Sequence, residues 1–165
     1  MIYSLDTNVL IQAWNGYYSP DFCADYWNCM DNLIQAGIIF IAEEVYRELE
    51  KEDDDLFQWA KSRKDEFVHE IDDDVEDNLK RIYDFDPKHR RLVDSIRSRS
   101  IADPWVIAHA ITDNAIVVTK ENFETQSNKR IKIPNVCENM GVQWINDFQF
   151  IKDVQISFTA QLNLT

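Results

Sequence analysis

The chain opens on Ile2-Tyr3-Ser4-Leu5-Asp6-Thr7-Asn8-Val9-Leu10-Ile11, an apolar strand that runs into an acidic-hydroxyl-amide triplet and then into an apolar helical stretch. A strand flanked in this way belongs in the middle of a parallel sheet, with helices covering both faces. In open sheets of that kind, ligands bind beyond the carboxyl ends of the strands. Asp6 then stands at that edge, in the first turn of the following helix. An acid there can hold a cation against a substrate.

The same alternation continues to the end of the chain. A helix follows from Thr7 to Trp14, Gly16 to Pro20 form a loop, and an aromatic-rich helix runs from about Asp21 to Gln35. Gly37 ends it, and Ile38 to Ile41 is a short apolar run suited to a buried strand. Helices are expected over Ala42–Glu50 and Asp54–Asp65, with a weaker strand at Phe67–Ile71. Asp72, Asp73 and Asp74 suit the acidic first turn of a helix reaching about Tyr83. Pro87 restarts the chain into a helix reaching about Arg97. Asp103-Pro104 reads as N-cap and first helical residue of a helix ending near Asp113. Ala115 to Thr119 is a second firm strand, Asn135 to Met140 a short helix, Gly141 a stop, and Val142 to Ile145 a last core strand. The pattern predicts an α/β fold, a three-layer α/β/α sandwich around a central, mainly parallel sheet of about five strands.

Composition narrows the class. The chain has 165 residues, 45% of them hydrophobic, with three Gly and four Pro, which fits one globular domain with a sizeable core. No stretch approaches the roughly 18 apolar residues of a membrane span. Neither a signal peptide nor a membrane association is expected. Cys23, Cys29 and Cys137 form an odd set without a CxxC pair, so structural zinc and a disulfide framework are disfavoured and a cytoplasmic location is the simplest reading. The net charge of −13 argues against strong non-specific nucleic-acid binding. The acidity is local, however. Glu43 to Asp86 hold 18 acids against 7 bases, whereas Pro87 to Lys132 hold 9 bases against 5 acids. That basic region includes Lys88, Arg90, Arg91, Arg97 and Arg99, then Lys129, Arg130 and Lys132, and could steer a phosphate backbone.

Four acids sit where chemistry is expected. On its helix Asp103 shares a face with Ile107, Ala110 and Ile111, so its carboxylate should be partly buried. A buried carboxylate must cap, pair, take up a proton or bind a metal. Glu48 flanks the inward stripe of Val45, Tyr46 and Leu49. Glu121 follows the strand ending at Thr119, at the same sheet edge as Asp6. Each acid also has an ordinary reading, as a helix cap or as solvated surface. Together, an oxygen-only donor set of this kind suits Mg2+ or Mn2+ far better than Zn2+.

Leu5-Asp6-Thr7-Asn8-Val9-Leu10, Val45-Tyr46-Arg47-Glu48-Leu49, Ala102-Asp103-Pro104-Trp105-Val106-Ile107-Ala108 and Val117-Val118-Thr119-Lys120-Glu121, in that order, resemble a PIN domain, and their spacing is similar to VapC-type toxin ribonucleases. The resemblance covers roughly residues 1 to 150. It implies a parallel five-stranded sheet and a Mg2+- or Mn2+-dependent endoribonuclease acting on RNA, the toxin of a toxin–antitoxin type system. By motif match, Asp6, Glu48 and Asp103 are the principal acids and metal ligands, Glu121 is the fourth, and Thr7 orients Asp6 or a bound water. A protein inhibitor (an antitoxin) and a homodimer are the partners the resemblance implies. Glu121 stands where the family usually has Asp, one methylene longer.

Other readings keep a place. A haloacid-dehalogenase-type phosphohydrolase also has an Asp after its first strand, but it needs a second Asp where this chain has Asn8. A catalytically silent PIN-like interaction module is the alternative from another class. His69, His109 and His89 are scattered in the sequence and read as structural or surface histidines, and Trp14, Tyr26 and Trp27 as core. Residues 1–152 form the PIN-like domain and 153–165 an extension. There Val154, Ile156, Phe158, Ala160, Leu162 and Leu164 alternate with polar residues, the pattern of an extra strand.

Overall fold

The computed structural model describes residues 1–93, 101–126 and 130–159. Arg97, Arg99 and Lys129 of the basic region, and residues 160–165 of the extension, lie outside the described residues.

Five strands, β1 (Tyr3–Leu5), β2 (Ile39–Ala42), β3 (Val68–His69), β4 (Ile116–Val118) and β5 (Trp144–Ile145), form one sheet in the order β3-β2-β1-β4-β5. Every pairing is parallel, with Ser4 beside Phe40 on one flank and Val117 on the other. The chain therefore builds outward from β1 in one direction and then returns to build outward in the other. Its topological switch point lies between β1 and β4, where an open parallel sheet places its ligand crevice.

Nine α-helices surround the sheet among the described residues: α1 (Thr7–Gln12), α2 (Pro20–Gln35), α3 (Glu43–Glu50), α4 (Asp55–Lys61), α5 (Lys64–Phe67), α6 (Asp73–Phe85), α7 (Asp103–Thr112), α8 (Ile133–Met140) and α9 (Asp147–Asp153). Side chains alternate across the pleat, so β1 touches both layers. Ser4 Oγ donates to the Val106 carbonyl of α7 at 3.1 Å, while the Tyr3 ring meets Phe150 of α9 edge-on at 5.2 Å. Both faces are thus covered, which is why β1, β2 and β4 are buried along their whole length. The three-layer α/β/α architecture expected from the alternation is present, with a sheet that is wholly parallel.

Local signals act as read at several points. Asp72 caps α6, its side chain accepting from the Val75 amide at 2.9 Å. Gly141 ends α8 at φ 70°, a left-handed conformation that favours glycine. Tyr26 and Trp27 are buried, with Trp14 packed edge-on against Trp27 at 4.6 Å.

Several details differ from expectation. The helix expected to Trp14 ends at Gln12, and a π-helical turn, Ala13–Tyr17, takes in the start of the loop expected from Gly16. The helix predicted over Asp54–Asp65 is two helices, α4 and α5. Pro87–Leu92 is a 3-10 turn. The strand predicted in the extension does not form over its described part. Gln155 takes φ 59°, and the amides of Gln155 and Ile156 donate back to the Lys152 and Ile151 carbonyls. Those donors close α9 instead of entering a ladder. Val154 and Ile156 pack partly against the core, while the exposed Phe158 stacks on Tyr18 at 5.2 Å and 4° between planes. The helix α9 itself follows from a cap that alternation alone does not reveal, Asn146, whose side chain accepts from the Gln149 amide at 2.8 Å.

Candidate metal centre at the sheet's switch point

The site begins with the two central strands. Asp6 follows β1 and Thr119 follows β4, side by side across the switch point. The Asp6 amide donates to the Val118 carbonyl at 3.0 Å, which carries the ladder one residue beyond the strands. The Thr119 hydroxyl, fully buried, donates to Asp6 Oδ2 at 2.9 Å and accepts from the Glu121 amide at 3.1 Å. One side chain thus fixes the carboxylate of Asp6 and the chain direction at Glu121. The motif around Thr119 was visible in the sequence, but its role was not, because a threonine after a strand is ordinary. Asp6 occupies the cap position of α1 without making a side-chain cap, and its Oδ1 is buried with no partner among the described residues.

The other acids arrive from separate elements. Glu48, on α3, accepts from the Thr7 hydroxyl at 2.7 Å and from the Ala102 amide at 3.1 Å. Thr7 therefore holds Glu48, while Thr119 takes the role towards Asp6 that was expected of Thr7. Asp103 is 5% exposed and begins α7 without capping it, since Ala102 holds the cap position and no side-chain cap bond forms. The ordinary reading of Asp103 as a helix cap is thereby replaced. Its Oδ2 accepts from Arg130 Nη2 at 2.7 Å, and the same nitrogen donates to the Leu92 carbonyl at 2.6 Å. Glu121 reaches across its loop to accept from the Ile133 amide at 2.8 Å, a span that its additional methylene supports.

These positions put four carboxylates within electrostatic reach of one another. Burial pushes Asp6 up to about 7, reinforced by Glu121 and Glu48 and opposed by the Thr119 hydroxyl and the Asn8 amide. Burial pushes Asp103 up to about 9, reinforced by Asp6, Glu121 and Glu48, and the Arg130 guanidinium only partly offsets this. Like charges gathered in a poorly solvated place disfavour ionisation unless a cation is present. The donor set is entirely oxygen, and Asp6 Oδ1 is buried without a hydrogen-bond partner among the described residues, although the Asn8 amide lies near enough to favour the ionised carboxylate. These residues fit a hard divalent cation.

A cleft of about 140 Å³ lies beside this centre, lined by Lys88, Arg91, Glu124, Gln126, Arg130 and Asn135. Part of the basic region thus lies within one residue's reach of Asp103. Arg90 turns away, its guanidinium 4.7 Å over the Tyr83 ring.

The histidines do not behave as three scattered structural residues. His89 does: it is buried, with its ring nitrogens 2.7 Å from the Ile82 carbonyl and 2.9 Å from Asn139 Nδ2. His69 and His109 instead come together with Asp113.

Among solved structures, the chain is similar to VapBC2 from Rickettsia felis bound to a DNA fragment from their promoter, with 22% identity, 88% of this chain and 98% of that chain covered, and a TM-score of 0.49. It is also similar to VapBC-1 from nontypeable Haemophilus influenzae, with 16% identity, the same coverage and a TM-score of 0.49. No curated protein matches the chain. No helix among the described residues is long and apolar enough to cross a membrane. Residues 3–158 match the pattern of a domain of unknown function, DUF4411, and the chain belongs to that family.

Proposed function

We propose that this protein is a divalent-metal-dependent endoribonuclease of the PIN type, the toxin of a toxin–antitoxin type system. The observation that carries the reading is the electrostatic coupling of Asp6, Glu48, Asp103 and Glu121 around an Asp6 Oδ1 that is buried without a hydrogen-bond partner among the described residues. Asp6, Glu48, Asp103 and Glu121 would hold Mg2+ or Mn2+. The chemistry such an ion supplies is Lewis acidity, towards water as the nucleophile and towards the scissile phosphodiester. The chain's own residues do the positioning. Thr119 holds Asp6, Thr7 holds Glu48, and the Glu121 side chain anchors the loop it leaves from on the start of α8. Lys88, Arg91 and Arg130 line the cleft along which an RNA backbone would approach.

An antitoxin partner follows from the same reading, since an unrestrained ribonuclease threatens its host, and a homodimer is part of the proposal. The rival is a catalytically silent interaction module. It is favoured by one contact, the Arg130–Asp103 ion pair, which supplies positive charge to the acid cluster without a metal. The two readings separate in one assay. Purified protein incubated with end-labelled RNA should cleave it with Mg2+ or Mn2+ and stop with EDTA. No cleavage with either ion would favour the silent module.

A further inference from the structure

Three side chains outside the acid cluster meet between the edge strand β3 and the C-terminal end of α7. His69 comes from β3, His109 from the last turn of α7, and Asp113 from the residue just beyond it. His109 and Asp113 are four residues apart and so share one helix face. Phe40, on β2, stacks on the His69 ring at 3.9 Å with 4° between planes and meets His109 edge-on at 6.1 Å, which sets both imidazoles. His69 Nδ1 lies 2.9 Å from Asp113 Oδ2. One ring nitrogen of each histidine and one carboxylate oxygen of Asp113 lie within 4.8 Å of one another.

His109 is the informative member. It is 1% exposed, and its Nε2 has no partner among the described residues. Burial holds its pKa down to about 4, with His69 adding to the effect and Asp113, Asp72 and Glu43 opposing it. The ring is therefore neutral near pH 7, which is the form that ligates metals. A buried ring nitrogen without a partner is costly to leave unsatisfied, so a group from outside the chain is expected there.

We infer that His69, His109 and Asp113 form a second metal site, which takes a borderline divalent transition ion such as Zn2+. Two imidazoles and one carboxylate suit Zn2+, Co2+ or Ni2+, whereas Mg2+ and Mn2+ prefer all-oxygen sites like the acid cluster. Three protein ligands leave a position for water or an external ligand. Asp72 and Glu43 add negative charge nearby. The ion joins the two-residue edge strand to α7. Asp103 begins that helix, six residues before His109, or about 9 Å along its axis. The site does not depend on the nuclease reading.

The test uses tag-free, full-length protein carrying Asp6→Asn and Asp103→Asn, so that the acid cluster cannot contribute. Zn2+ titration by calorimetry should show one ion per chain, Co2+ should give visible d–d absorption bands, and excess Mg2+ should not compete. Adding His69→Gln or Asp113→Asn should weaken Zn2+ binding at least tenfold and remove the Co2+ bands. Their side chains are 41% and 29% exposed, so both variants should fold, which circular dichroism checks. Unchanged Zn2+ affinity in either variant, or no Zn2+ binding in the parent, would overturn the assignment and leave a water on His109.

Discussion

Asp6 and Asp103 are neutral or ionised according to what surrounds them, and this makes the metal-free protein sensitive to pH. Both carry pKa values above the ordinary 3.8, at about 7 and about 9, so the folded chain holds their protons more firmly than the unfolded chain does. Their favourable contribution is complete below about pH 4 and is lost as pH rises through 7 and then 9. His109 acts in the opposite sense. Its depressed value means that stability is lost as pH falls from 6.5 towards 4. The two effects overlap only below pH 6.5. Between pH 6.5 and 9, with EDTA present, the melting temperature of the parent should therefore fall, and that of Asp103→Asn should fall less and lie higher at pH 9. Equal slopes in calorimetry would contradict the assignment of these groups. Thr119→Val removes the donor to Asp6 and the acceptor for Glu121 at nearly constant volume. Mn2+ affinity should drop by roughly 10- to 100-fold, the scale of an outer-shell loss, with folding retained. Isothermal titration reads it, and unchanged affinity would mean that Thr119 serves only the fold.

At the scale of elements, the parts that were legible are those whose signal is local. The apolar run ending in Asp6, the Asp72 cap and the Gly141 stop each state their structure within a few residues, and the sheet followed from their alternation. Gly141 can be tested directly: Gly141→Ala meets no steric neighbour, so its cost is the left-handed backbone alone, about 1–2 kcal/mol. A melting temperature lower by roughly 2–8 °C is expected, and no change would show that α8 ends differently in solution. What stayed hidden was long-range. Asp103-Pro104 has the sequence of a cap, and only the arrival of Arg130, 27 residues later, shows the carboxylate turned to another use. The spacing of His109 and Asp113 was visible, but nothing local places His69 beside them. The tail alternates like a strand, yet the left-handed Gln155 follows the end of α9, Ile156 packs partly on the core and Phe158 stacks on Tyr18.

Across the whole molecule, a net charge of −13 coexists with a basic cleft beside the acids, so any RNA contact must be local rather than a property of the surface at large. Arg91→Ala should weaken RNA binding and reduce the slope of log affinity against log salt by about 1, whereas Arg90→Ala, whose guanidinium is engaged with Tyr83, should change it less. Identical slopes for parent and Arg91→Ala would remove the cleft from the substrate path. Asp6, Glu48, Asp103 and Glu121 come from four separate segments into electrostatic reach of one another, and in the proposed function a bound cation offsets their repulsion. Single-turnover RNA cleavage in Mn2+, with parent, Asp6→Asn and Asp103→Asn matched for folded fraction, bears on this without intermediaries. A rate lower by at least about 100-fold in each variant is expected, the loss that follows removal of one transition-state-stabilising group. Cleavage by either variant at the parent's rate would contradict the metal centre and place any nuclease activity elsewhere.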